Sequence, residues 1–312
     1  MLVSIVVITY NFEQIIVKCL ESIKKQTYKK IELIISDDNS KDKTVEICKN
    51  WLKENKDFFI ETQIISSSKN EGVVKNINKG LEKVKGEYIK IVAGDDILKE
   101  DGIENFINYT KKNPEAEIIF SKVERFKEVN EKIKKIDILP DETDEKFFDF
   151  QPKKQLKILL EGNFLMAPGI FFKKSLFEKY GYFDERFKMV EDYPYWIKLL
   201  KENVKFYYMP KITVYYRQSE TSVSANLKRS CNKNMFEFKE QFYNLIYKKE
   251  VKNPLKRWDK YLIIYIEKRI IKNGNIETSS LRFLKKIFRS KNIKRFVILI
   301  FIFLILNYLN II

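Results

Sequence analysis

Histidine is absent from all 312 residues. Its absence excludes Ser-His and Cys-His triads and any histidine-ligated metal, so acid–base chemistry falls to Asp, Glu, Lys or Tyr. Cysteine is scarce: Cys19, Cys48 and Cys231 are far apart and odd in number. That fits a reducing compartment and argues against a disulfide framework or a zinc site. There is no internal repeat and no low-complexity tract. A secretory leader is not expected either, because Met1 to Tyr10 has no charged start or cleavage site and is itself strand-like. What remains is 45% hydrophobic and 33% charged, the composition of a globular chain with room for one large domain or two smaller ones.

The net charge of +16 is unevenly placed. Residues 226–312 hold 20 Lys+Arg against 6 Asp+Glu, whereas the preceding 225 residues hold 39 against 37. A nucleic-acid binder would carry its basic residues on the folded domain, and here that part is nearly neutral. From Arg282 to Arg295 there are seven basic residues and no acidic one, followed by the apolar run Phe296 to Leu306. The uncharged stretch from 296 onward is 17 residues, at the short limit for a spanning helix of about 20. A cationic flank beside an apolar end suits the cytoplasmic face of an anionic bilayer, and residues 291–312 are expected to attach the chain there.

Periodicity orders the first part as alternating strands and helices. Strands are expected at Val3–Thr9, Ile31–Ser36, Ile60–Ile65 and Tyr88–Val92, and helices at Glu13–Gln26, Thr44–Lys56 and Val73–Lys83. Such alternation means βαβ units and a mostly parallel sheet. Further on, Glu124–Glu145 reads as a charge-rich surface excursion. Gly169–Phe172 reads as a short strand, Glu191–Glu202 as a helix, and Val204–Tyr208 and Ile212–Tyr216 as two closing strands. After Asn226 the pattern becomes helical and basic, a separate unit.

The informative residues end the apolar runs. Thr9-Tyr10-Asn11 closes the first strand, where a Tyr can stack on a base. Asp37-Asp38-Asn39-Ser40 closes the second. Asn and Ser suit helix capping, and two preceding acids exceed what capping needs. A carboxylate there can accept the N3–H of uracil or a ribose hydroxyl. Asn70-Glu71-Gly72 opens the third helix, where glycine permits close backbone approach and Lys75 adds positive charge for a phosphate. Gly94-Asp95-Asp96 follows the fourth strand, and its paired oxygens suit Mg²⁺ or Mn²⁺ bridged to a diphosphate.

This ordered set resembles family 2 glycosyltransferases with the A-type, nucleotide-sugar-binding fold, over roughly residues 1–225. The resemblance implies an α/β fold, a Rossmann-like mostly parallel sheet flanked by helices, here with a helical basic C-terminal extension. It divides the chain into a catalytic domain (1–225), a basic helical region (226–290) and the hydrophobic tail (291–312). It implies that Asp37 and Asp38 contact uridine, and that Asp95 and Asp96 serve ribose and metal. Ala93 stands where the commoner pattern has a further acid. Ile77 stands where many members have Arg, leaving phosphate contact to Lys75. Glu191-Asp192 matches the family's acidic pair, with Asp192 as general base, kept ionised by the helix start that follows it. Trp196 is expected to line the acceptor pocket. Tyr215-Tyr216-Arg217 and Ser222-Val223-Ser224 resemble the family's closing loop, with Arg217 reaching the diphosphate. The expected activity is metal-dependent inverting transfer from a nucleotide sugar, with UDP as the expected nucleotide, to a cell-surface glycan or lipid-linked acceptor. A sugar nucleotidyltransferase would need a Gly-rich, Arg-containing loop after the first strand, which Thr9 to Glu13 does not supply. For a membrane scaffold without activity the acidic pairs would be superfluous.

Overall fold

The computed structural model describes residues 1–129, 132–218 and 233–272. Contacts divide the chain into two compact units, Met1–Ala225 and Asn226–Ile312. The first unit begins with β1 (Val3–Thr9), α1 (Ile16–Lys24), β2 (Ile31–Asp37), α2 (Thr44–Asn55), β3 (Glu61–Ser66), α3 (Val73–Leu81) and β4 (Tyr88–Ala93). It continues through β5 (Ile97–Leu98), α4 (Gly102–Lys112), β6 (Ile118–Val129), β7 (Lys132–Leu139), α5 (Glu142–Glu145) and α6 (Pro152–Leu159). It closes with β8 (Ile170–Lys173), α7 (Lys174–Tyr180), α8 (Asp192–Lys201) and β9 (Tyr207–Arg217).

The sheet runs β3-β2-β1-β4-β8-β6-β9-β5, with β7 paired outside this path to β6. The first four strands are mutually parallel, as the βαβ alternation requires. β2 is buried along its whole length and β1 along nearly all of it, which is why both are mostly β-branched and aliphatic, interrupted by Ser4 in β1 and by Glu32, Ser36 and Asp37 in β2. β3, at the edge, alternates instead. β8 enters antiparallel between β4 and β6.

Two apolar layers cover the sheet, and period-2 alternation sorts side chains between them. Phe171 stacks on Tyr88 and Phe106 in the layer under α1, α2 and α4. Its neighbour Phe172 points the other way, onto Phe177 and Trp196. Phe120 joins that second layer against Phe148, Trp196 and Phe206. Cys19 and Cys48 are buried free thiols, and burial pushes the Cys48 thiol up to about 12.

Two expectations need correction. Glu124–Glu145 is charge-rich and largely at the surface as expected, but most of it is regular, forming the antiparallel β6–β7 pair laced by Arg125–Asp137 and Lys135–Glu124 contacts. Charged residues prevail because β7 is exposed over most of its length, and cross-strand ion pairs suit such a ribbon. The two closing strands are one strand, β9. Pro210 does not split it because the register with β6 skips from Met209 to Ile212, leaving proline in a bulge where no ladder N–H is needed.

The second unit comprises α9 (Lys233–Phe242), a π-turn at Tyr243–Tyr247, α10 (Lys248–Glu250) and α11 (Pro254–Lys272). Among the described residues, no helix is long and apolar enough to cross a membrane. Cys231, the Ser222–Ser224 segment and the tail at 291–312 lie outside the described residues.

Candidate active site

The parallel register sets the carboxyl ends of β1, β2 and β4 side by side. Thr9 lies beside Asp37, Ile8 beside Ala93, and Asp37 beside Ser66. Thr9-Tyr10-Asn11, Asp37-Asp38 and Asp95-Asp96 therefore leave the sheet along one edge, where ligands of such sheets bind. Asp37 is buried; it accepts from Ser40 N (2.9 Å), from the Ser40 hydroxyl and from Ser66 Oγ (3.2 Å). Asn11, at φ 55°, donates its N–H to Ser40 Oγ (2.9 Å) and accepts from Lys41 N (2.8 Å). Thr9 Oγ1 is buried and has no hydrogen-bond partner among the described residues, whereas Tyr10 is exposed.

Asp38 draws the third motif to the same place. Its two carboxylate oxygens accept the backbone N–H groups of Glu71 and Gly72, each at 2.8 Å. Gly72 sits at φ 93°, which a side chain would strain. A Cβ there would stand 3.9 Å from the carbonyl of Lys188, so the segment leading to Glu191-Asp192 passes directly above. Asn70 leads into this turn. Lys75 is half-exposed, 3.6 Å from Glu71, whose carboxylate is bound more closely by Lys79.

The Asp95-Asp96 turn is held by the end of β9. β5 pairs with β9, Ile97 beside Tyr215 and Leu98 beside Val214. This delivers the Arg217 N–H to Asp96 Oδ1 (3.0 Å) and Arg217 Nε to the Asp95 carbonyl (2.9 Å). Arg217 Nη1 meets Glu128 at 2.7 Å, and its guanidinium lies 4.8 Å from the Phe126 ring centre. The bonds of Arg217 thus go to the turn and to Glu128 on β6. Among the described residues its buried Nη2 has no hydrogen-bond partner. Burial raises the Asp96 pKa well above the usual carboxylate range, and the charge of Asp95 adds to the rise. Burial also raises Asp95, against the pull of Arg217. Two adjacent carboxylates that repel each other are a donor pair that a cation would relieve. Among the described residues no group of three or more His, Cys, Asp or Glu could hold a metal ion. Mg²⁺ is commonly held by one or two carboxylates, with phosphates and water completing its shell, so this pair fits one.

Lys90 is the residue that sequence reasoning passed over. It lies on β4, fully buried, and donates to the carbonyls of Pro168 and Ile170 (3.0 Å to the latter). Burial pushes its pKa down to about 7, and its charge in turn holds Asp96 down. The available signal was a lone lysine inside the apolar run Tyr88–Val92.

Glu191 and Asp192 begin α8, preceded by Val190 at φ 56°. A β-branched residue in the left-handed region is strained, and such strain gathers at functional sites. Glu191 stands at the N-cap position but its side chain makes no capping hydrogen bond, so capping does not account for Glu191. Burial raises both pKa values, Glu191 to about 7 with Asp192 adding to the rise. The expectation that the helix start lowers the Asp192 pKa is therefore corrected: desolvation outweighs the Tyr193 N–H and the Asn163 side chain, 3.4 Å away.

Trp196 is also corrected. It is 1% exposed, edge-on to Phe120 at 5.6 Å and Phe206 at 6.0 Å, and stacked on Phe172 at 5.9 Å. It belongs to the core beneath Asp192 and does not line an acceptor pocket. Its indole N–H lies near enough to oppose the rise in the Asp192 pKa, although no hydrogen bond of full geometry forms.

The model of glycosyl transferase family 2 matches residues 4–181, more than half of the chain and most of the strand ends just described. The chain belongs to glycosyl transferase family 2. Among curated family members, it is 31% identical over 202 residues to an uncharacterized glycosyltransferase of Rickettsia typhi, covering 64% of this chain and 59% of that one. It is 40% identical over 103 residues to the glycosyltransferase GlyG of Streptococcus pneumoniae, covering 33% of each. The matched stretch thus spans less than two thirds of either relative. Among solved structures, that of S. aureus TarS residues 1–349 in complex with UDP superposes with a TM-score of 0.57 at 18% identity, over 86% of this chain and 80% of that one. This likeness concerns the fold, which is the A-type glycosyltransferase fold.

Proposed function

We propose that this family 2 member transfers a sugar, with inversion, from a nucleoside diphosphate to a hydroxyl of a cell-surface glycan or lipid-linked saccharide. The observation that carries the reading is a pair of acidic pairs, Asp95-Asp96 and Glu191-Asp192, each buried enough to raise its pKa, with the Glu191 side chain making no capping hydrogen bond. UDP is the favoured nucleotide, and the TarS fold described in complex with UDP and with UDP-GlcNAc supports it.

In this reading Tyr10, exposed at the end of β1, stacks on the base. Asp37 and Asp38 shape the nucleoside end, and Asp38 retains lone pairs for a donor hydrogen beyond those of Glu71 and Gly72. The turn at Asn70 and Gly72 and the half-exposed Lys75 face the phosphates. Mg²⁺ or Mn²⁺ would be held through Asp95, since Asp96 is buried and engaged by Arg217. When bound, the ion neutralises charge on the departing diphosphate. Asp192 takes the proton of the acceptor hydroxyl. Its raised pKa brings it closer to the working pH, which favours a general base. Glu191, with a pKa of about 7, keeps part of its population neutral beside Asp192 and so limits repulsion there. The tail at 291–312 places the enzyme on the cytoplasmic face of the membrane.

Measuring UDP release from UDP- and dTDP-sugars, with the anomeric configuration of the product read by NMR, tests this reading. Release with an inverted product is expected. No release from any donor, or retained configuration, overturns it. A protein ending near Lys291 should leave the membrane fraction at high salt, where surface charge attraction is screened, and still hydrolyse donor; one that stays there even so places an apolar anchor elsewhere.

A further inference from the structure

The second unit carries a surface that the transfer chemistry does not use. On α11, Leu255, Trp258 and Tyr261 are 54%, 43% and 44% exposed. Their three-residue spacing puts them along one side of the helix. Further along the helix Ile264, Ile266 and Ile270 are buried. The aromatic strip is continuous: Tyr261 lies 6.4 Å from Trp258, 6.0 Å from Tyr243 and 6.4 Å from Tyr265, ring centre to ring centre. Large apolar side chains exposed together in this way mark a contact surface more often than a solvated face.

The charge around the strip indicates what it meets. From Lys248 to Lys272 there are nine basic residues and three acidic ones. One of the three, Glu267, is held by Lys239 at 2.9 Å. Tryptophan and tyrosine settle at the headgroup depth of a bilayer, and lysine and arginine are drawn to anionic lipid. A second copy of the chain would bring the same positive face against itself. In the sequence, α11 leads on to the basic run Arg282–Arg295 and the apolar run Phe296–Leu306. We infer that the Leu255–Trp258–Tyr261 face of α11 is an interfacial docking surface for an anionic phospholipid bilayer, separate from the apolar tail. The aromatic strip inserts at headgroup depth, while Lys256, Arg257 and Lys260 contact lipid phosphates. The inference does not depend on the proposed transfer reaction.

The chain offers a direct probe. Of its three tryptophans, Trp51 and Trp196 are buried, at 7% and 1% exposure, and Trp258 is exposed. The full chain is mixed with phosphatidylglycerol vesicles bearing brominated acyl chains, and with neutral phosphatidylcholine vesicles brominated in the same way. Vesicle-dependent quenching of emission is expected with the anionic vesicles and much less with the neutral ones. The same anionic vesicles should shield Trp258 from iodide. Trp258→Phe should lose the quenching while still sedimenting with vesicles through the tail. The paired change Lys256→Glu/Lys260→Glu should weaken quenching but leave the far-UV circular dichroism unchanged. Sedimenting wild-type protein whose emission is unquenched would overturn the inference. So would iodide protection that grows with protein concentration before any lipid is added, since it points to a second copy. Equal quenching by neutral and anionic vesicles overturns the charge-selective docking.

Discussion

Asn78 clamps the backbone of Phe183 from 105 residues away: its Nδ2 donates to the Phe183 carbonyl at 2.9 Å and its Oδ1 accepts the Phe183 N–H at 3.2 Å. Both bonds are buried. They fasten α3, which begins at Gly72 beside Asp38, to the segment that leads to Glu191 and Asp192. A side-chain amide that satisfies both backbone groups of one residue fixes position and orientation together. Asn78→Ala leaves two buried backbone groups unpaired, at a cost of about 1–3 kcal/mol each. Transfer should fall through kcat, with the UDP dissociation constant nearly unchanged. Calorimetry with UDP beside steady-state kinetics checks this; a loss confined to nucleotide affinity speaks against it.

Asp192→Asn should keep nucleotide and metal binding and lose transfer by roughly 10²–10⁴-fold, the usual worth of a general base. Wild-type transfer should rise with pH as Asp192 ionises, through a midpoint above that of an ordinary aspartate. Turnover retained in the Asn variant removes Asp192 from the role.

The same pair has a signature in stability. Glu191 titrates near 7 in the folded chain and near 4.3 when unfolded, so the folded state binds more protons between those values. Its contribution to stability therefore falls as pH rises from about 4.5 to 7. Glu191→Gln should remove this slope, and thermal melts across that range at fixed ionic strength will read it. An unchanged slope means that Glu191 is ionised throughout.

Asp95 and Asp96 should separate by their partners. Asp95→Ala should abolish metal-dependent UDP binding with little change in melting temperature. Asp96→Ala should also destabilise the fold, because it orphans the buried Arg217 N–H, by about 1–3 kcal/mol. Lys90→Met removes the charge that holds Asp96 down and should move the acid limit of metal-dependent UDP binding to higher pH. Titrations at several pH values test both; UDP binding unaffected by Asp95→Ala would end the metal assignment.

Trp196→Phe should leave acceptor KM unchanged, whereas Trp196→Ala should cost about 3–5 kcal/mol of stability, as expected of a core aromatic. A raised acceptor KM in Trp196→Phe, without lost stability, would return the indole to the pocket.

Strands buried on both faces are mostly apolar, so β1, β2 and β4 were legible as runs despite Glu32 and Lys90, and the acids ending them stood out by contrast. Helices α1, α2 and α3 were legible because one face of each is buried and the period of 3.6 records it. The β6–β7 pair was hidden because an exposed ribbon has no such constraint, and β9 because a bulge absorbs Pro210.

The sequence alone determined which residues are acidic, which runs are buried, and that no histidine chemistry is available. Only tertiary structure decided what those residues do. It spent Arg217 on the Asp95-Asp96 turn, put Trp196 in the core, and buried Lys90 under Pro168 and Ile170. It also raised the Asp192 pKa where the helix start alone argued for a fall. The physical reason is that pattern encodes burial along one element, whereas desolvation and hydrogen-bond partners depend on chain segments brought together from far apart.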